Sequence, residues 1–114
     1  MAATATRTLE STVPCCAPVT ESALSNDEAT EFAKVLAALS DPVRLRLFSL
    51  VAAEGESCSC RLEGPLERSQ PTISHHTKIL ADAGLIVGEK RGKWTWWRIE
   101  EDQLARVRRV LGGT

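Results

Sequence analysis

The sequence predicts a mainly α chain closed by a small β-ribbon, and three observations predict it. Apolar residues recur at helical spacing in separate stretches, most of them opened by a helix-start signal. Two β-prone runs near the C-terminus flank the turn Arg91-Gly92-Lys93. The composition, 43% hydrophobic and 25% charged over 114 residues, suits one small globular domain. A domain of this size leaves much apolar surface uncovered, so a dimer that shares a core is expected.

The elements follow in order. Residues 1–24 are rich in Ala, Thr, Ser and Pro and lack periodicity, which reads as a flexible, cysteine-bearing arm. The domain proper is placed at 25–112. Ser25 with Glu28 three residues on forms a capping box, followed by Phe32, Val35, Leu36 and Leu39 on one face. SDP at 40–42 restarts the chain with a fresh cap and a proline in the first helical position. That second helix runs to about Ala53 and turns Val43, Leu47, Leu50 and Val51 inward. EGES at 54–57 is a loop, and a short helix spans about Cys60 to Glu67 with a ragged end at Gly64-Pro65. SQP at 69–71 starts a helix that stops at Gly84, a residue suited to the position after a helix end. Strands are expected over about 86–90 and 94–99. A last helix opens on Glu100, Glu101 and Asp102 and carries Leu104, Val107 and Leu111 inward. Helix, short helix, tight turn, helix and two-stranded ribbon is the winged helix-turn-helix order.

The formal net charge is −1, yet its distribution is uneven. Residues 68–98 hold six bases and two acids, whereas residues 1–67 hold five bases and ten acids. A basic back half is what a phosphate-binding face needs. In a recognition helix the first turns meet the groove, where short polar side chains belong. Gln70, Thr72, Ser74 and His75 fit that role, with His76 and Lys78 on the same helix, while Ile73, Leu80 and Ala83 hold the core side. Lys90, Arg91 and Lys93 at the ribbon tip are placed to reach phosphate. Trp94 and Trp96 share one face of the second strand and Trp97 takes the other, with core packing their expected role.

The N-terminus lacks a signal-like apolar run, and no segment is long enough to span a bilayer. The expected location is therefore the cytoplasm, with no membrane partner and with all four cysteines as reduced thiols. Cys15 and Cys16 stand in VPCCAPV, each beside a proline. Adjacent α-carbons lie about 3.8 Å apart, short of the roughly 4.4 Å at which disulfides begin. A vicinal thiol pair is better suited to holding one soft ion from two sides. No nucleophile–base pair or open catalytic metal site is evident, so an enzyme is not expected.

SDPVRLRLF, CSCRL, SQPTISHH, KILADAGLI and KRGKWTWWRI, in that order, resemble the ArsR/SmtB family of metal-sensing repressors, in its arsenic-responsive branch. The resemblance spans roughly residues 30–111. It implies a homodimeric winged helix-turn-helix repressor of operator DNA, with dimer contacts from the first and last helices. It further implies release from double-stranded operator DNA when a metal or metalloid binds, with no cofactor needed for DNA binding itself. Cys58 and Cys60 resemble the family's CxC metal box. In an extended lead-in, residues i and i+2 point the same way, so these thiols join Cys15 and Cys16 as candidate ligands. All-sulfur coordination selects soft ions: arsenite or antimonite through three thiolates, or cadmium or lead through three or four. A thiol redox switch could use the same cysteines without metal. The family's second site type, histidine and carboxylate on the last helix, is not expected, because that helix holds no histidine. Two departures stand out. Arg61 replaces a frequent acid after the CxC pair, and Thr77 replaces a leucine, which is expected to weaken the core contact slightly.

Overall fold

The computed structural model describes residues 18–112. Helix α1, Asn26–Ala38, starts at the expected capping box. The Glu28 N–H donates to Ser25 Oγ at 3.1 Å, and the Ser25 N–H donates to Glu28 Oε1 at 2.8 Å. Helix α2, Pro42–Glu54, is capped by Asp41, whose Oδ2 accepts from the Val43 and Arg44 N–H groups at 2.9 and 3.1 Å. Strand β1, Ser57–Cys58, comes next, then a 3-10 turn over Ser59–Arg61 and helix α3, Glu63–Leu66. Helix α4, Gln70–Asp82, strands β2, Ile86–Arg91, and β3, Trp94–Ile99, and helix α5, Glu101–Val110, complete the order.

The sheet has three strands in the order β1-β3-β2, all antiparallel. The ribbon runs from Ile86↔Ile99 to Arg91↔Trp94. Strand β1 adds Ser57↔Trp97 and Cys58↔Trp96 on the other side of β3. The sequence predicts two strands because a two-residue strand is too short to show alternation. Its pairing depends on a partner about 40 residues away. Gly84 takes φ +78°, and the Leu85 N–H closes back on the Leu80 carbonyl at 3.0 Å, so α4 ends as expected.

Leu47, Val51, Leu62, Ile73, Leu80 and Leu85 form the buried centre, where α2 and α4 pack against the sheet. Leu111, expected to point inward, does not, and Leu36 on the apolar face of α1 is also uncovered. Leu36 and Leu111 are 43% and 59% exposed. With Val19, Leu24, Phe32 and Val110 they border an open apolar cavity of about 210 Å³ between α1 and α5. These are the two helices whose apolar faces were expected to meet a second copy. The last residues before α1, within the stretch read as an arm, make contact with the domain. Residues 18–22 turn on Pro18, and the Val19 N–H donates to the Val110 carbonyl at 2.8 Å. The chain is therefore tied to α5 at Val19.

Candidate nucleic-acid interface and thiol pair

Helix α4 sorts its residues by the period of the helix. Ile73, Thr77 and Leu80 are buried, while Ser74, His75 and Lys78 lie on the exposed side. Thr77 sits where an apolar residue would be expected. Its hydroxyl donates to the Ser74 carbonyl at 3.0 Å, which satisfies the buried oxygen within the helix. Lys78 Nζ lies 3.2 Å from Asp82 Oδ2, an exposed pair one helical turn apart that water can readily compete for. Thr72 is partly buried, with its hydroxyl 3.3 Å from that of Ser69.

Two residues assigned from sequence to the DNA face are turned elsewhere. Gln70, the first residue of α4, sends Nε2 back to the Ser59 carbonyl at 2.8 Å. His76 is partly buried, with Nδ1 3.5 Å from Arg44 Nη1. Burial lowers its pKa, and the positive charge of Arg44 acts in the same direction against the opposing pull of Asp41. Asp41 is itself held below the ordinary carboxylate value, chiefly by the hydrogen bond from the Arg44 N–H. Arg44 Nε donates to the Ala38 carbonyl at 2.8 Å and Nη2 to Ala37 at 3.4 Å, closing the C-terminal end of α1. Arg44 thus joins α1, α2 and α4, a role that its place in SDPVRLRLF does not signal.

The ribbon tip also divides its cations. Lys90 and Lys93 are exposed, with Lys93 Nζ 5.5 Å from the Trp94 ring centre. Arg91 is engaged on three sides. Its Nη1 and Nη2 donate to Glu56 Oε1 and Oε2 at 3.1 and 2.7 Å, and Nη2 also meets Glu89 Oε1 at 2.7 Å. The guanidinium lies 5.1 Å from the Trp96 ring centre, with Arg61 5.2 Å from the same ring. The bond with Glu56 raises the Arg91 pKa, and the bond from Arg91 lowers that of Glu89. In this structure Arg91 clamps the ribbon to the loop before β1 and does not stand free at its tip. Sequence spacing assigns Glu56 no such role, since only β1 brings it beside the ribbon.

Cys58 and Cys60 flank Ser59 where β1 becomes the 3-10 turn. Cys58 has extended backbone (φ −76°, ψ 142°) and is fully buried, whereas Cys60 is exposed. Their α-carbons are 5.1 Å apart and their sulfurs are joined as a disulfide. The expectation of one shared side holds, and the two sulfurs are close enough to bond. The Cys60 N–H also points at Cys58 Sγ, 3.1 Å away. Cys15 and Cys16 lie outside the described residues. Among the described residues, no group of three His, Cys, Asp or Glu side chains is placed to hold a metal ion.

The tryptophans divide as their alternation requires. Trp96 faces the cations above, while Trp97 packs against the core and donates Nε1–H to Ser59 Oγ at 2.9 Å. Ser59 therefore accepts from both α4 and β3, a convergence that sequence spacing does not signal.

Comparison with known proteins places this geometry among regulators. Residues 41–87 match the family model described as "Bacterial regulatory protein, arsR family". An uncharacterized HTH-type transcriptional regulator of Methanocaldococcus jannaschii is 35% identical over 79 residues, covering 69% of this chain and 89% of the relative. An arsenical resistance operon repressor of Staphylococcus xylosus is 36% identical over 81 residues, covering 71% and 77%. The solution structure of a homodimeric winged helix-turn-helix DNA-binding domain from Mycobacterium bovis, a possible ArsR-family regulator, is similar with a TM-score of 0.62. It is 25% identical, covering 75% of this chain and 82% of that one.

Proposed function

We propose, from the premise that this chain belongs to the arsR family of bacterial regulatory proteins, that it is a metalloid-responsive transcriptional repressor. It binds operator DNA as a homodimer and is released when trivalent arsenic or antimony binds cysteine thiolates. The observation that carries the reading is the CxC pair, with both sulfurs on one side at the foot of the helix-turn-helix. Two thiolates so close can grip one soft ion together once the disulfide is reduced. Arsenite enters as As(OH)3 and condenses with three thiols, whose protons leave with its three hydroxyls as three waters. Cys58 and Cys60 supply two sulfurs, and Cys15 or Cys16 supplies the third. Ser74, His75 and Lys78 face the groove, with Lys90 and Lys93 on phosphate. The protein works in the cytoplasm, without a membrane partner and without catalytic activity.

The disulfide itself favours a second reading, a redox switch. There, two thiols lose two electrons and two protons to hydrogen peroxide, forming the S–S bond and two waters. One experiment separates the readings. Reduced protein on promoter DNA is titrated with arsenite, antimonite, cadmium, lead, zinc and peroxide in parallel. The parent is compared with the Cys15→Ser/Cys16→Ser variant. The variant should bind DNA normally yet stay bound at arsenite doses that free the parent, because two sulfurs hold arsenic far less well than three. Release of the variant at the parent's dose would remove the arm cysteines from the site. Release by peroxide alone would favour the redox reading.

A further inference from the structure

Ser59 is the only residue between the two sulfurs, so its backbone lies within the ring that the Cys58–Cys60 bond closes. Opening that ring, or drawing both sulfurs toward a third ligand, can therefore move the Ser59 peptide units. Both ends of Ser59 are held by the DNA-binding elements. Its carbonyl accepts from Nε2 of Gln70, the first residue of α4, at 2.8 Å. Its hydroxyl accepts from Trp97 Nε1 at 2.9 Å, on the central strand of the sheet that carries the wing. Ser57 and Cys58 are further joined to that strand through Trp97 and Trp96.

We infer that Ser59 is a positioning residue that couples the chemical state of Cys58 and Cys60 to the helix and the wing together. The inference rests on the reading that these two cysteines receive the signal, and it extends that reading with a route. Gln70 becomes a tether that sets the start of α4, not a reader of bases. Trp97 is the matching tether on the wing. A change at the sulfurs then shifts the angle of α4 and the height of the wing in one step. Both must fit the duplex at once, so a small movement of one peptide is enough to spoil the match.

The test uses the full-length dimer and four chains: parent, Ser59→Ala, Ser59→Thr and Gln70→Met. Operator affinity is measured by fluorescence anisotropy with the thiols reduced, oxidised by diamide, and loaded with arsenite. Thiol counts and thiolate–arsenic absorbance report independently that each state has formed. The Trp97 indole N–H resonance reports the hydrogen bond to Ser59. In the parent, changing the state of the sulfurs should move that resonance and weaken operator binding by roughly 5- to 150-fold, the usual range of coupling between sites. In Ser59→Ala and Gln70→Met the same states should form, but affinity should change by less than about a third of the parent's factor. Ser59→Thr, which keeps the hydroxyl, should restore the parent's response. Full release by both deletion variants overturns the inference, as does a Trp97 resonance that ignores the sulfurs. A parent that binds no arsenite defeats the inducer reading alone, since the diamide arm judges the coupling by the same criteria. A parent whose operator affinity responds to neither treatment overturns the coupling as well.

Discussion

Replacing Gly88 with alanine should be one of the most damaging single-methyl changes in this protein. Gly88 lies across from Trp97 in the β2–β3 pair. A Cβ built there would sit 2.6 Å from Trp97 Cζ3, 2.9 Å from Trp97 Cε3 and 2.9 Å from Thr95 Cγ2. Carbon atoms need about 3.5 Å, so the indole must back away by most of an ångström. Overpacking of that kind costs about 1–3 kcal/mol. Pulling Nε1 off Ser59 Oγ adds about 1 kcal/mol for the broken hydrogen bond. Alanine recovers about 0.5–1 kcal/mol by restricting the unfolded chain relative to glycine. The net is about 2 kcal/mol, a fall in Tm of roughly 8–16 °C for a domain of this size.

The assay is urea and thermal unfolding of parent, Gly88→Ala, Trp97→Leu and the double variant at one matched protein concentration. Matching matters because a dimer's Tm depends on concentration. The clash needs both partners, so the double variant should be more stable than the summed single effects imply, by about 1 kcal/mol or more. Gly88→Ala within about 0.5 kcal/mol of the parent would refute the reasoning, and so would strict additivity.

Two further outcomes follow from the placement of charges and of the uncovered apolar face. Lys93→Ala should flatten the salt dependence of operator binding by about one unit of slope for each phosphate it no longer neutralises, whereas Arg91→Ala should leave the slope nearly unchanged and loosen the ribbon instead; equal slopes for the two variants would show that Arg91 leaves Glu56 when DNA arrives. Leu36→Glu with Leu111→Glu should give a folded monomer in sedimentation experiments, because both side chains are exposed among the described residues, on the uncovered apolar face shared by α1 and α5; a persistent dimer would move the interface elsewhere.

Much of the fold was legible because its signals are local. The capping box at Ser25, the Asp41-Pro42 restart and Gly84 each act within four residues, and each holds. What the sequence hid depends on distant partners. Strand β1 exists only because Trp96 and Trp97 arrive beside it. The polar face of α4 was legible as a helical stripe, so Ser74, His75 and Lys78 emerge on it as expected. Gln70 and His76 belong to the same pattern, yet their ends find Ser59 and Arg44, and no periodicity reveals a side chain that turns back. The pairing of Cys58 with Cys60 was hidden for another reason: spacing tells that two sulfurs can meet, not whether they are bonded.

Charge counting misleads in the same way, and the structure shows how to repair it. The acidic front and basic back of the sequence suggest a surplus of free cations on the ribbon. Folding brings the two halves together, so Glu56 from the front takes Arg91 from the back with two hydrogen bonds. Arg46 and Arg68 direct donors to the carbonyls of Pro65, Leu66 and Glu67, where they brace the turn between α3 and α4. Lys90 and Lys93 have no carboxylate within ion-pair range among the described residues. Both are exposed at the ribbon tip, so under the proposed function they are the cations able to meet phosphate without first breaking an internal ion pair. Arg91, by contrast, would have to give up its bonds to Glu56 and Glu89 before it could reach phosphate.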